Sequence, residues 1–226
     1  MPRSLASTTT RSALSTAGLA LALAAAGCAK PDAGTTADGT PISAASADSN
    51  GPGLAVGERV GNANLLDASG GTVALASLYR DRPVVVTFYR GGWCPYCNRA
   101  LTEWEGRVAE LQAMGVDFVA ITPERPDETL VTAEKNGTDF RILSDANFEA
   151  ADAFRVRFTL DQDTQTRYKG FGVDLAEHNA AGLWDLPAPG TFLIDRNGVV
   201  RYAWADWDYR QRAEPDEVIA AARALP

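Results

Sequence analysis

Cys94-Pro95-Tyr96-Cys97 is the stretch of this 226-residue chain best suited to chemistry. It follows a Gly91-Gly92 turn and Trp93, and it precedes an amphipathic run. Two residues between cysteines at the first turn of a helix bring the sulfurs within bonding reach. The unpaired N–H groups and positive dipole end of the helix stabilise a thiolate there. Thiols so placed have pKa values lowered from about 8.5 to roughly 3.5–7.5. A thiolate attacks a disulfide or a peroxide, and the second cysteine resolves the product as an intramolecular disulfide. Pro95 suits the first helical turn because it gives up only an orphan donor.

Two other uses of the pair are weaker. A zinc half-site needs further ligands, and the remaining cysteine and histidine are Cys28 and His178 alone. A purely structural disulfide would close too small a loop to stabilise much. His178 lies in a polar stretch and reads as a surface residue. Trp184, Trp204 and Trp207 read as aromatic packing around a small sheet, and Asp206-Trp207-Asp208 as a solvated loop. Trp93, beside Cys94, is placed to shield the dithiol.

The elements that must position the pair follow from apolar periodicity. Val84 to Tyr89 is a continuous apolar strand of the kind buried on both faces of a sheet. Leu101, Trp104, Val108 and Leu111 recur at spacings of three, four and three, which predicts one helix of about four turns ending at Gly115. A second buried strand runs from Val116 to Thr122. Asn64 to Leu75 predicts a hairpin around Ser69-Gly70-Gly71. Asp127 to about Asn136 reads as a short helix, Phe140 to Leu143 as a strand, and Ala146 to Phe154 as a helix. Residues 156–187 read as an insertion of loop and short helix. A hairpin then spans 191–203 around Arg196-Asn197-Gly198, and Pro215 to Leu225 forms a terminal helix. Strands alternating with helices, closed by a hairpin and a helix, give an α/β fold with a central mixed sheet flanked by helices.

Composition bounds the rest. Hydrophobic residues make up 46% of the chain, enough for one real core. The net charge of −8 and the absence of a basic run disfavour nucleic-acid binding. Residues 1–28 read as an export signal. Arg3 and Arg11 open it, an Ala/Leu-rich run follows, and Ala25-Ala26-Gly27 precedes Cys28. That end is similar to a bacterial lipobox, with Ala where leucine is usual, and implies lipidation of Cys28. Residues 29–53 are rich in Ala, Ser, Thr, Gly, Pro and Asp and read as a disordered tether. The domain then occupies 54–226.

Phe88-Tyr-Arg-Gly-Gly-Trp-Cys-Pro-Tyr-Cys-Asn98 resembles the active-site segment of the thioredoxin superfamily. Pro189-Gly-Thr-Phe-Leu-Ile-Asp195 resembles a later strand of its membrane-anchored members. With Leu65 to Leu75, the order over about residues 56–225 is most similar to the peroxiredoxin-like branch of the alkyl hydroperoxide reductase/thiol-specific antioxidant family. The resemblance implies a thioredoxin-like fold and reduction of hydroperoxides through a Cys94/Cys97 dithiol–disulfide cycle. It also implies an external thiol reductant such as a thioredoxin-type protein, and Trp93, Arg90, Pro189 and Thr191 as supporting residues. No cofactor or metal is implied. In that fold Pro189 is expected to be cis and to pack beside the cysteines. The peroxiredoxin register puts Cys97 at the attacking position, whereas the thioredoxin register puts Cys94 there. The family arginine that polarises peroxide falls in Leu186 to Thr191, which contains none, so Arg90 or Arg99 is left to substitute. The alternative is a thioredoxin-like protein-disulfide oxidoreductase of the cell envelope. A tethered binding domain with a structural cysteine pair is the non-enzymatic alternative.

Overall fold

The computed structural model describes residues 51–226. The export signal, Cys28 and residues 29–50 of the tether lie outside them. The elements in chain order are β1 (Asn64–Leu66), β2 (Thr72–Ala74), α1 (Leu75–Tyr79), β3 (Val84–Phe88), α2 (Pro95–Glu105), α3 (Val108–Ala113), β4 (Asp117–Thr122), α4 (Pro126–Asn136) and β5 (Arg141–Ser144). They continue as α5 (Glu149–Ala153), β6 (Arg157–Thr159), α6 (Gln162–Gly170), α7 (Leu175–His178), β7 (Asp185–Pro187), β8 (Gly190–Ile194), β9 (Val200–Ala205) and α8 (Pro215–Arg223). A seven-stranded mixed sheet has the order β2-β1-β5-β4-β3-β8-β9, with β3, β4 and β5 parallel and β8 antiparallel to β3.

The central strand is buried along its whole length, as its apolar run requires. Its alternate residues enter two cores. Val84, Val86 and Phe88 join Phe148, Phe154, Phe192 and Leu186 on one face. Val85 and Tyr89 join Leu101, Trp104, Leu111, Val218 and Ile219 on the other. Helices α2, α3 and α8 therefore cover the face that carries both cysteines. The opposite face closes on an aromatic cluster, in which Phe154 stands 5.0 Å from Phe88 and 4.9 Å from Phe192.

Three expectations change. The four-turn helix is broken at Gly106 and Arg107, where the Gly106 N–H reaches back to Thr102 O at 3.4 Å and the Arg107 N–H to Trp104 O at 2.8 Å. Glycine is a poor interior helix residue, and Arg107 gains Glu110 at 2.5 Å and Asp216 at 2.7 Å. Leu101, Trp104, Val108 and Leu111 nevertheless stay buried together. Residues 156–187 contain more than loop and helix, because β6 and β7 pair as a small second sheet. Arg157 Nη2 meets the buried Asp185 carboxylate at 2.5 Å across this pair. The third change is at Pro189. Its preceding peptide bond is trans, for no cis bond occurs among the described residues. No helix among these residues is long and apolar enough to cross a membrane.

Phe154→Ala should lower the unfolding free energy by about 3–5 kcal/mol, since a fully buried ring is lost and the cavity persists. Urea unfolding should show the fall as a lower midpoint at unchanged slope. A loss below about 1 kcal/mol would mean that the aromatic cluster does not support β3.

Candidate active site

Strand β3 and the turn after it deliver the cysteines. Cys94 is the N-cap of α2 in an extended conformation, and Pro95 opens the helix. The Cys94 carbonyl accepts from the N–H groups of Cys97 and Asn98, both at 3.1 Å. Both thiols are free and nearly sealed from water, with Cys94 2% and Cys97 0% exposed.

The turn tolerates glycine alone. A Cβ on Gly91 would overlap Trp93 Nε1 and lie 2.8 Å from Glu124 Oε1, and one on Gly92 would overlap Thr132 Oγ1. The peptide is clamped at both ends. Gly92 N donates to both oxygens of Glu124, at 3.0 and 2.9 Å. Gly92 O accepts from Asn98 Nδ2 and Lys135 Nζ, each at 2.9 Å. Glu124 is 1% exposed, and burial pushes its carboxyl up to about 8.

The two thiols are pulled in opposite directions. The Cys97 side chain hydrogen-bonds to Cys94 and, with the Arg90 charge assisting, lowers Cys94 to about 6 against the desolvation that opposes it. Burial pushes Cys97 well above the ordinary thiol range, and the negative Cys94 adds to the effect. Arg212 Nη2 donates to Cys97 Sγ at 3.4 Å.

Arg90, 3% exposed, lies among rings rather than carboxylates. Its guanidinium is 4.3 Å from the Tyr209 ring centre, 5.1 Å from that of Trp93 and 5.6 Å from that of Tyr168. Nη2 donates to the Tyr168 hydroxyl, and the buried Nε has no partner. Arg90, Phe158, Leu160, Pro189, Trp207 and Tyr209 line a cavity of about 20 Å³, room for about one water.

Among the expected supporting residues, Trp93 packs on Tyr168 at 5.8 Å and carries the Arg90 charge over its ring. Pro189 shares a cavity wall with Arg90. Thr191 pairs with Thr87 across the sheet, their hydroxyls 3.0 Å apart. Arg99 is exposed on α2. Arg212 and Glu124 were not among the expected residues. Arg212 is 115 positions from Cys97, and Glu124 reads locally as a turn acid after a strand.

A family model described as "AhpC/TSA family" matches residues 56–203. The chain belongs to this family. A Mycobacterium tuberculosis (strain H37Rv) protein named as a peroxiredoxin is 30% identical over 150 residues, 59% of this chain and 95% of that one. The thiol-disulfide oxidoreductase ResA of Halalkalibacterium halodurans is 28% identical over 102 residues, 45% of this chain and 57% of ResA. The crystal structure of a peroxiredoxin-like protein from Aquifex aeolicus superposes with a TM-score of 0.64 at 18% identity, covering 84% of this chain and 95% of that one. The fold is thus thioredoxin-like, and the chain is a thiol-dependent oxidoreductase of peroxiredoxin type.

A depressed thiol pKa means that the Cys94 thiolate persists at neutral pH and is lost as pH falls through about 6. Ultraviolet thiolate absorbance should titrate with that midpoint. Cys97→Ala removes the hydrogen-bonding partner and Arg90→Met the nearby charge, so each should raise the midpoint by about one unit or more. A wild-type midpoint in the ordinary thiol range, or no shift in Cys97→Ala, would refute this electrostatic account.

Proposed function

We propose that the chain reduces hydroperoxides, with Cys94 as the attacking thiolate and Cys97 as the resolving thiol. The opposite pull on the two thiols carries this reading, because one sulfur is ionised at neutral pH and the other holds its proton. The Cys94 thiolate attacks the terminal oxygen of ROOH. The O–O bond breaks, ROH leaves after taking up a proton, and Cys94 becomes the sulfenic acid. Cys97 then attacks the Cys94 sulfur and releases water, its own proton joining the departing hydroxide. The disulfide that results is reduced by two electrons from an external dithiol of thioredoxin type. Arg90 and Arg212 supply positive charge where the alkoxide and hydroxide develop.

Wild type and the two single variants, exposed to hydrogen peroxide and to an alkyl hydroperoxide, test the assignment. Cys97→Ser should react and stop at a single added oxygen by mass. Cys94→Ser should lose more than about 100-fold in rate, as the loss of a nucleophile implies. If Cys94→Ser instead keeps the peroxide reaction and Cys97→Ser loses it, the roles are reversed. The ResA likeness and the N-cap placement of Cys94 favour a second reading, protein-disulfide reduction. Under it, peroxide consumption stays at the free-thiol background while protein disulfides are reduced rapidly.

We also propose export and a lipid anchor on Cys28, supported by the apolar run and Ala25-Ala26-Gly27 before it. Metabolic palmitate labelling should tag the wild type and spare Cys28→Ser. An unlabelled wild type would overturn the anchor.

A further inference from the structure

Glu124, which accepts from the Gly92 N–H of the glycine turn, converges with Glu128 and His178. One donor atom from each lies within 4.8 Å of the other two. His178 is the chain's one histidine and ends α7, Glu128 sits in the first turn of α4, and Glu124 lies between β4 and α4. Glu124 is 1% exposed, while the Glu128 and His178 side chains are 27% and 30% exposed. The cluster therefore has a buried floor and an open rim.

Asn179 bridges Glu124 in an antiparallel pairing. The flanking bonds are Arg125 N to His178 O at 3.0 Å and Ala180 N to Pro123 O at 2.9 Å. Glu124 and Asn179 are thus a non-hydrogen-bonded pair, the arrangement that holds two side chains close on the same face. Asn179 is 2% exposed, and its Nδ2 is committed to the carbonyls of Leu183 and Asp185 at 2.9 Å each. Its Oδ1 is buried without a partner. The pairing thus puts an unsatisfied buried acceptor on the face that carries the Glu124 side chain.

We propose that Glu124, Glu128, His178 and the Asn179 amide oxygen form a binding site for a divalent transition-metal ion. One imidazole with oxygen donors suits the zinc class better than magnesium, which takes oxygen ligands and retains its waters. Arg125 Nη2 now meets Glu128 Oε1 at 3.0 Å, but that arginine is 42% exposed and such a pair yields readily to a divalent ion. Glu124 can give one oxygen to the ion and keep the other for Gly92 N–H. The ion would then brace the turn that carries Cys94, without touching either sulfur.

Calorimetric titration with Zn²⁺ tests this in a full-length Cys94→Ser/Cys97→Ser background, where the dithiol cannot bind the metal. One saturable site is expected, weakened at least tenfold by His178→Ala and by Glu128→Gln and matched by a zinc-dependent rise in melting temperature. Both variants change rim residues, so their metal-free melting temperatures should match the background. Mg²⁺ should bind at least tenfold more weakly than Zn²⁺. The absence of a saturable site, a site indifferent to both variants, or equal binding of Mg²⁺ would each overturn the proposal.

Discussion

A thiolate kept from water must be matched by dipoles and charges that are themselves kept from water, and most of the active-site structure follows from that constraint. Cys94 is almost wholly buried, and burial alone favours the neutral thiol. Four groups reverse the preference: the Cys97 side chain, the Arg90 charge, the start of α2 and the Arg212 charge. Each needs its own support. Arg90 is held by three aromatic rings, Cys97 by the Arg212 guanidinium, and the helix start by a turn clamped through Glu124, Asn98 and Lys135. Glycine at 91 and 92 is what lets those clamps approach the backbone.

The way the two guanidinium groups are held has a physical logic. A carboxylate beside Arg90 would neutralise it and leave little field for a thiolate or a leaving oxygen. Aromatic faces lower the energy of a buried cation without cancelling its charge. The delocalised, weakly hydrated guanidinium tolerates such a site far better than an ammonium would. Arg212 follows the same pattern by another route, with Nη1 donating to the neutral carbonyls of Tyr209 and Gln211. Both cations therefore keep their charge for the sulfur side of the site.

What was legible in the sequence was local. The β3 run, the Cys-Pro-Tyr-Cys helix start and the two hairpins are each specified by neighbours within a few residues, and the structure has them all. The small β6–β7 sheet was not legible, because Arg157-Phe-Thr and Asp185-Leu-Pro each carry too short an apolar pattern to register as a strand. The break at Gly106 was hidden because its apolar spacing continues unbroken through two helices. Arg212 and Glu124 were invisible for a different reason. Their roles depend on tertiary approach to Cys97 and Gly92, and no local spacing encodes that. The expected stand-ins divided accordingly: Arg90, fixed by the strand end, reaches the site, whereas Arg99 faces outward on α2.

The same distinction bears on which sulfur attacks. Motif register aligns Cys97 with the attacking cysteine of peroxiredoxins, but register compares positions along a chain and not environments. Two thiols in contact share one proton most easily, and its place is set by which sulfur is cheaper to ionise. Cys94 stands at the N-cap of α2, at the positive end of the helix dipole. Cys97, one turn in, is sealed into the core formed by Leu101, Trp104 and Leu111. Moving the charge to Cys97 would trade the better-placed site for the more deeply buried one, with Arg212 alone in direct contact to offset the desolvation. Burial and the helix terminus thus act together, and they assign the charge to Cys94 and the proton to Cys97.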